Sequence, residues 1–405
     1  MSFEDEVVIT GWGCVSPLGR DAATTWTRLL AGESARGELT CIPLEGCRVT
    51  HGAQATLPDI AWLSAKEVSR LSRGSRLALP AAREALREAG LLDRDSRSIF
   101  PRLELSIGTT ACGMELGEQF FKEVCAGRPR RIPSLISRYP AQQQIGDLQQ
   151  NLGFSGPSMV VSNACASGAN AIGHAADLIR AGFAEIVLAG GYEALCELVF
   201  CGFDCLQALA PDLCKPFDIH RQGLMLGEGS AFLVLESAAH AAQRGAPPKG
   251  RLVGYGQTSD PFHITQPDPT GTPLSVAIQS AISQSGLTPA DIGYVNAHGT
   301  GTPFNDRAEA AAFVRVFGED LSGTRISSTK AAIGHTLGAA GAIESVFALQ
   351  TLQSGKIPHQ INTTQPVPEL EGSIAQRGEP LLKPAVLSVN LGFGGSNAAL
   401  IFTTA

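Results

Sequence analysis

The sequence predicts an α/β protein made of two similar halves, and three observations carry that expectation. Segments that look like buried strands alternate along the chain with segments that look like amphipathic helices. A set of features in the first part recurs, in the same order, in the second. The 45 glycines are spread over all 405 residues, so the chain is rich in turns without any low-complexity stretch. A compact chain of this length should bury roughly three quarters of its unfolded surface.

Each element follows from its local pattern. Val7–Thr10 and Glu185–Ala189 are apolar runs ended by glycine, as strands buried on both faces are. Leu77–Ala89 and Ser275–Gln284 carry apolar residues at helical spacing and meet Gly90 and Gly286, where a helix end expects glycine. The first half then runs from Gly90 through the strand-like Leu103–Ile107 into Gly108, and the second from Gly286 through Ile292–Val295 into His298. A small-residue helix opened by Cys165 closes at Gly182, and one opened by the Lys330–Gly341 stretch closes at Gly355. Finally Gly227–Leu235 resembles Gly394–Phe402. This order suggests a duplication with halves 1–245 and 246–405, broken near Gln243–Gly250. Sites in such layered folds lie in crevices beyond the strand ends.

Composition narrows the function classes. The net charge of −7, from 31 basic and 38 acidic residues with no Lys/Arg run, argues against a nucleic-acid surface. No apolar run reaches the about 20 residues that span a bilayer. The acidic start Met1–Glu6 lacks the basic and apolar parts of a signal peptide. Ten cysteines in a chain this long read as reduced, mostly buried thiols, so a cytoplasmic location is expected. Cys196, Cys201, Cys205 and Cys214 show no ligand spacing, and no metal is expected.

One thiol stands apart. Cys165 sits among Asn163, Ala164, Ala166, Ser167 and Gly168, after an apolar stretch and before a helix. A helix N-terminus favours a thiolate, and small neighbours leave room for a thioester and for a backbone N–H aimed at an oxyanion. His298 and His335 lie in equally small, Gly-rich settings. A neutral His335 before a helix could donate a hydrogen bond, and two neutral imidazoles on one oxygen would hold an enolate. Lys330 and Glu309 are expected to tune these histidines. His51, His174, His220, His240, His263 and His359 lack such settings and are read as structural or surface residues. The Asn390–Asn397 loop lacks a P-loop lysine; Phe393 there could give a second oxyanion N–H and a movable ring over an acyl pocket.

Together these motifs resemble the β-ketoacyl-acyl-carrier-protein synthases of the elongating Cys-His-His branch. They are NACASGANAIG at Asn163–Gly173, VNAHGTGTPFND at Val295–Asp306, SSTKAAIGHTLGAAGA at Ser327–Ala342 and NLGFGGSNA at Asn390–Ala398. VVITGWGCVSPLG at Val7–Gly19 and KPFDIHRQGLMLGEG at Lys215–Gly229 extend the likeness almost end to end.

The resemblance implies a thiolase-like fold, with duplicated αβαβα halves forming a five-layered core. It implies that Cys165 takes an acyl chain from an acyl carrier protein, with the Cys165 and Phe393 N–H groups as oxyanion hole and Phe393 as gate. His298 and His335, supported by Lys330 and Glu309, would hold a malonyl thioester as it loses carbon dioxide. Thr300 and Thr302 would contact the phosphopantetheine arm, with Gly394 and Gly395 beside it. Ala111 would leave space at the pocket floor. No cofactor is implied beyond the arm on the carrier protein. The partner would be a second copy, or a chain-length-factor paralogue in fatty-acid or polyketide and polyene pathways. Arg130–Tyr139 and Leu209–Cys214 look trimmed against the family pattern. A thiolase is disfavoured because it needs a second catalytic cysteine near the C-terminus, and the last here is Cys214. A chain-length partner is disfavoured because it lacks the nucleophile.

Overall fold

The computed structural model describes residues 6–93, 97–128 and 133–405. Met1–Asp5 of the acidic start and Arg130–Ile132 of the trimmed segment lie outside the described residues. Strands run in the order β1 Val7–Val15, β2 Arg36–Glu38, β3 His51–Ala53, β4 Glu104–Gly108, β5 Ser158–Val161, β6 Ile186–Glu193 and β7 Gly229–Ser237. The second part holds β8 Gly250–Ser259, β9 Ile292–Asn296, β10 Arg325–Ser327, β11 Ala385–Leu391 and β12 Ser396–Thr403.

The strand order states the repeat directly. It reads β5-β4-β6-β7-β1 in the first part and β10-β9-β11-β12-β8 in the second, so equivalent strands occupy equivalent places. In both, the first three strands are parallel and the last three antiparallel. β1 and β8 meet at Val8–Arg251 and Ile9–Gly250, which joins the two sheets. β2 and β3 form a separate small hairpin.

Five layers result. Helices 73–88 and 141–152 cover one sheet through Leu77, Ala81, Leu86, Ile145 and Leu148. Helices 272–285 and 303–317 cover the other through Ile278, Ala281, Ala310 and Phe313. Between the sheets lie helices 167–180 and 340–354, sharing one core with residues of β1, β7, β8 and β12. Gly90 and Gly286 have φ of +70° and +72°, the left-handed conformation that ends a helix.

The two central helices approach closely because each has a glycine in its first turn, Gly168 and Gly341. A Cβ on Gly168 would come within 2.8 Å of the Gly338 oxygen, and one on Gly341 within 2.5 Å of the Ala169 nitrogen. The chain therefore leaves β5 towards Cys165, and leaves β9, β10 and β11 towards His298, Lys330 and Phe393, all at one edge of the layers.

Candidate active site

Cys165 lies in a 3-10 turn, Ala164–Ala166, between β5 and helix 167–180. Ala164 before it has φ +56°, a strained conformation for a residue with a side chain. The turn is held by the Asn163 N–H donating to Ser167 Oγ (3.0 Å) and by Asn163 Nδ2 donating to Ser396 Oγ (2.9 Å). The second contact ties the nucleophile to the Gly-rich loop, where the Gly394 N–H donates to the Ile264 oxygen (2.7 Å). Gly395, at φ +84°, packs against Asp260, whose oxygen a Cβ would meet at 2.0 Å.

The second part of the chain supplies the imidazoles. His335 is fixed by the first part: its N–H donates to the Met225 oxygen (2.6 Å), and its oxygen accepts from the Gly227 N–H (3.0 Å). That is the structural use of the Lys215–Gly229 motif. His335 Nε2 lies 2.9 Å from Cys165 Sγ, and the Leu337 N–H donates to Nδ1 (3.3 Å). A ring that accepts at Nδ1 carries its hydrogen on Nε2, so His335 donates towards the sulfur. His298 packs edge-on to His335, with ring centres 5.1 Å apart. Nitrogen and sulfur atoms of Cys165, His298 and His335 lie within 4.8 Å of one another, all buried.

Electrostatics correct two expectations. The Cys165 thiol is not poised as a free thiolate. Burial pushes it up to about 11, although Lys330 and the Phe393 and Cys165 N–H groups pull the other way. Lys330 does not pair with Glu309: its Nζ lies 2.5 Å from Glu344 Oε1 in a pair 1% exposed on each side. Asn390 Nδ2 donates to the other Glu344 oxygen (2.7 Å). Glu309 instead accepts from the His298 N–H (2.8 Å), the Gly299 N–H (2.6 Å) and Asn305 Nδ2 (2.7 Å), so it orients the His298 turn. Burial, then the nearby Asp306, pushes Glu309 up to about 8.

Burial first, and the Lys330 charge second, hold both His298 and His335 well below the ordinary histidine value. Both rings are therefore neutral donors near pH 7. The unfolded chain takes up protons on them near pH 6.5 that the folded chain refuses, so each costs stability as the pH falls. In urea titrations, His335→Gln should make the stability loss between pH 6.5 and 5 shallower by up to about 1.4 kcal/mol per pH unit. An unchanged slope would show that His335 is charged in the folded state.

A cavity of about 300 Å³ opens onto Cys165, His298 and His335. Thr300 and Thr302 line it with their hydroxyls 2.9 Å apart, and Phe393 and Gly395 close another side. The Phe393 ring stacks on Phe203 with ring centres 5.6 Å apart and is 39% exposed. Gly394 and Ala111 are not in the cavity wall. Ala111 is buried with its N–H on Glu193 Oε1 (2.8 Å). His263, read from the sequence as structural or surface, lines the cavity mouth.

Sequence reasoning missed Glu344 and Glu193. Glu344 is the one charged residue in a helix buried all along 340–352, and such a charge needs a buried partner. Glu193 ends β6 and accepts from the Thr110, Ala111 and Gly338 N–H groups, so it ties the turn after β4 to the loop after His335. Burial pushes it up to about 7. Among the described residues, no helix is long and apolar enough to cross a membrane.

Comparison with known proteins agrees with this geometry. Residues 4–241 match the N-terminal domain of beta-ketoacyl synthases, and residues 249–364 the C-terminal domain. The chain is 36% identical over 411 residues to 3-oxoacyl-[acyl-carrier-protein] synthase 2 of Staphylococcus aureus (strain N315), covering 99% of both. Its fold superposes on the ishigamide ketosynthase/chain length factor with TM-score 0.91 and 31% identity over 99% of both chains. It superposes on a type II PKS acyl-carrier protein–ketosynthase complex bound to the hexaketide with TM-score 0.88, 28% identity and 99% coverage of both chains. The thiolase-like halves, the buried Cys-His-His cluster and these matches together place the chain in the β-ketoacyl synthase family.

Proposed function

We propose that the protein elongates acyl chains by decarboxylating Claisen condensation. The convergence of Cys165 Sγ with the His298 and His335 rings at one cavity carries this reading. In the first half-reaction Cys165 sulfur attacks the carbonyl of an acyl thioester on an acyl carrier protein. The phosphopantetheine sulfur leaves and takes up the thiol's proton, so no external base is consumed. The Cys165 and Phe393 N–H groups face the developing oxyanion.

In the second half-reaction a malonyl thioester lies along Thr300 and Thr302 with its carbonyl oxygen on the His298 and His335 N–H groups. Neutral rings stabilise the enolate as carbon dioxide leaves without giving it a proton. The enolate carbon then attacks the Cys165 thioester, a carbon–carbon bond forms, and Cys165 leaves as the thiolate. The product is a β-ketoacyl thioester on the carrier protein. This chemistry draws on no metal or nucleotide cofactor, and the swinging arm belongs to the carrier.

We further propose a dimer, formed with a second copy or with a chain-length-factor paralogue. β5 is an edge strand with Met159 47% exposed. Helix 114–125, packed on helices 133–136 and 197–205, buries none of its own residues and exposes Phe121 and Val124. Apolar residues left open on a helix, and an unpaired strand edge, each fit coverage by another chain.

Intact mass after incubation with a panel of acyl-carrier-protein thioesters tests the reading. An acyl adduct should map to Cys165 and discharge as a β-ketoacyl thioester when malonyl-carrier protein is added. Absence of an adduct with every thioester, or one on another cysteine, would sink it. Sizing the same sample decides the partner, because a homodimer that condenses unaided needs no paralogue.

A further inference from the structure

Outside the active site, Cys47 and Cys201 bring two thiols together across 154 residues of chain, with Sγ atoms 3.5 Å apart. Cys47 lies in the loop between β2 and β3, and Cys201 on helix Glu197–Cys205. Both are partly exposed free thiols. Their neighbours already fix loop against helix: the Arg48 N–H donates to Asp204 Oδ2 (2.8 Å) and its guanidinium to the Asp204 oxygen (3.1 Å). Cys47 and Phe203 also pack on one apolar cluster that includes Phe200, Leu224 and Leu337. To form a disulfide the sulfur atoms must close from 3.5 Å to about 2 Å.

We propose that Cys47 and Cys201 form a redox-modification site. A low-molecular-weight disulfide would convert them to an internal bridge that pins helix Glu197–Cys205. Cys47, as thiolate, attacks the oxidant's S–S bond and releases one thiolate, leaving a mixed disulfide. Cys201 loses its proton to solvent and attacks the Cys47 sulfur, releasing the second thiolate. Two protein thiols are oxidised and one disulfide is reduced to two thiols. Burial, with Cys47 alongside, pushes the Cys201 thiol up to about 11, and its closeness to Cys47 offsets that small thiolate fraction.

The consequence runs through Phe203, two residues after Cys201, whose ring is stacked on Phe393. A pinned helix holds Phe203 in place, and the Phe393 ring loses room to swing from the mouth of the cavity. This effect rests on the gate role proposed above, whereas formation of the bridge does not.

The full-length enzyme, reduced and then incubated with oxidised glutathione, provides the test. The mass of two hydrogens should be lost, and peptides carrying Cys47 and Cys201 should be linked. Acyl transfer to Cys165 should slow by at least about tenfold and recover with dithiothreitol. Cys201→Ser should resist both changes while keeping its reduced-state rate. No bridge, a bridge through the exposed Cys205, or a bridge with an unchanged acylation rate would overturn the proposal. Should the reduced enzyme accept no acyl group at all, the proposed function fails instead, and the linked peptides still decide the site.

Discussion

Cys165→Ala should abolish condensation, lowering the rate by roughly 10⁶-fold, as removal of a covalent nucleophile does elsewhere. The argument is positional as well as chemical. Among the described residues, Cys165 is the only thiol that lines the cavity, and an imidazole nitrogen lies 2.9 Å from its sulfur. Neither Cys112 nor Cys196 can replace it, because neither lines the cavity and burial pushes the Cys112 thiol up to about 11 and Cys196 higher still. The substitution removes only the sulfur and little packing, so the fold should persist. His298 and His335 keep their places, and slow release of carbon dioxide from malonyl-carrier protein should therefore continue. Acyl-adduct mass and carbon dioxide release, measured on one preparation, separate the two half-reactions. A variant that still condensed would remove Cys165 from the reaction.

The second large effect is expected at Lys330. Lys330→Met leaves the Glu344 carboxylate buried without its partner, which should cost about 3–5 kcal/mol of stability by denaturant titration. Adding Glu344→Gln should recover most of that loss, because the charge left alone is then gone. A catalytic effect should remain in the double variant. Burial dominates the positions of Cys165, His298 and His335 on the pH scale, and Lys330 lowers all three. Without it the thiol moves further up and the histidines move back towards their ordinary value. Alkylation of Cys165 should slow at fixed pH, and the acid limb of the condensation profile should shift to higher pH. Recovered stability with an unshifted profile would reduce Lys330 to a packing role.

Much of this site was legible in the sequence because the relevant signals are local. Cys165, His298 and Phe393 each follow an apolar strand and sit among residues small enough to let backbone and substrate approach. The halves were legible for the same reason: strand, glycine and helix recur in one order, and the structure places those strands at equivalent positions. The Lys330 partner was not legible. Glu309 lies near the His298 motif and looked suitable, but the helix after His335 brings Glu344 to the ammonium and turns Glu309 onto the His298 backbone. The cavity wall was hidden too, since Phe203–Ala208 and Asp260–Pro267 carry no motif and reach the site only by folding.

By itself, the amino-acid sequence determined which residue types stand at which turns, and hence the reaction class: a thiol nucleophile, two imidazole donors and a Gly-rich loop. Those properties depend on side-chain chemistry and on a few neighbouring residues. Only the tertiary structure decided ionisation and pairing. It put the thiol high, both rings neutral, Glu344 on Lys330 and Cys47 against Cys201. The physical reason is that charge is governed by local solvation and by distance to other charges. Both are set by packing: Cys165 and His335 meet across 170 residues and Cys47 and Cys201 across 154, and even Lys330 and Glu344, 14 apart, pair only once buried together.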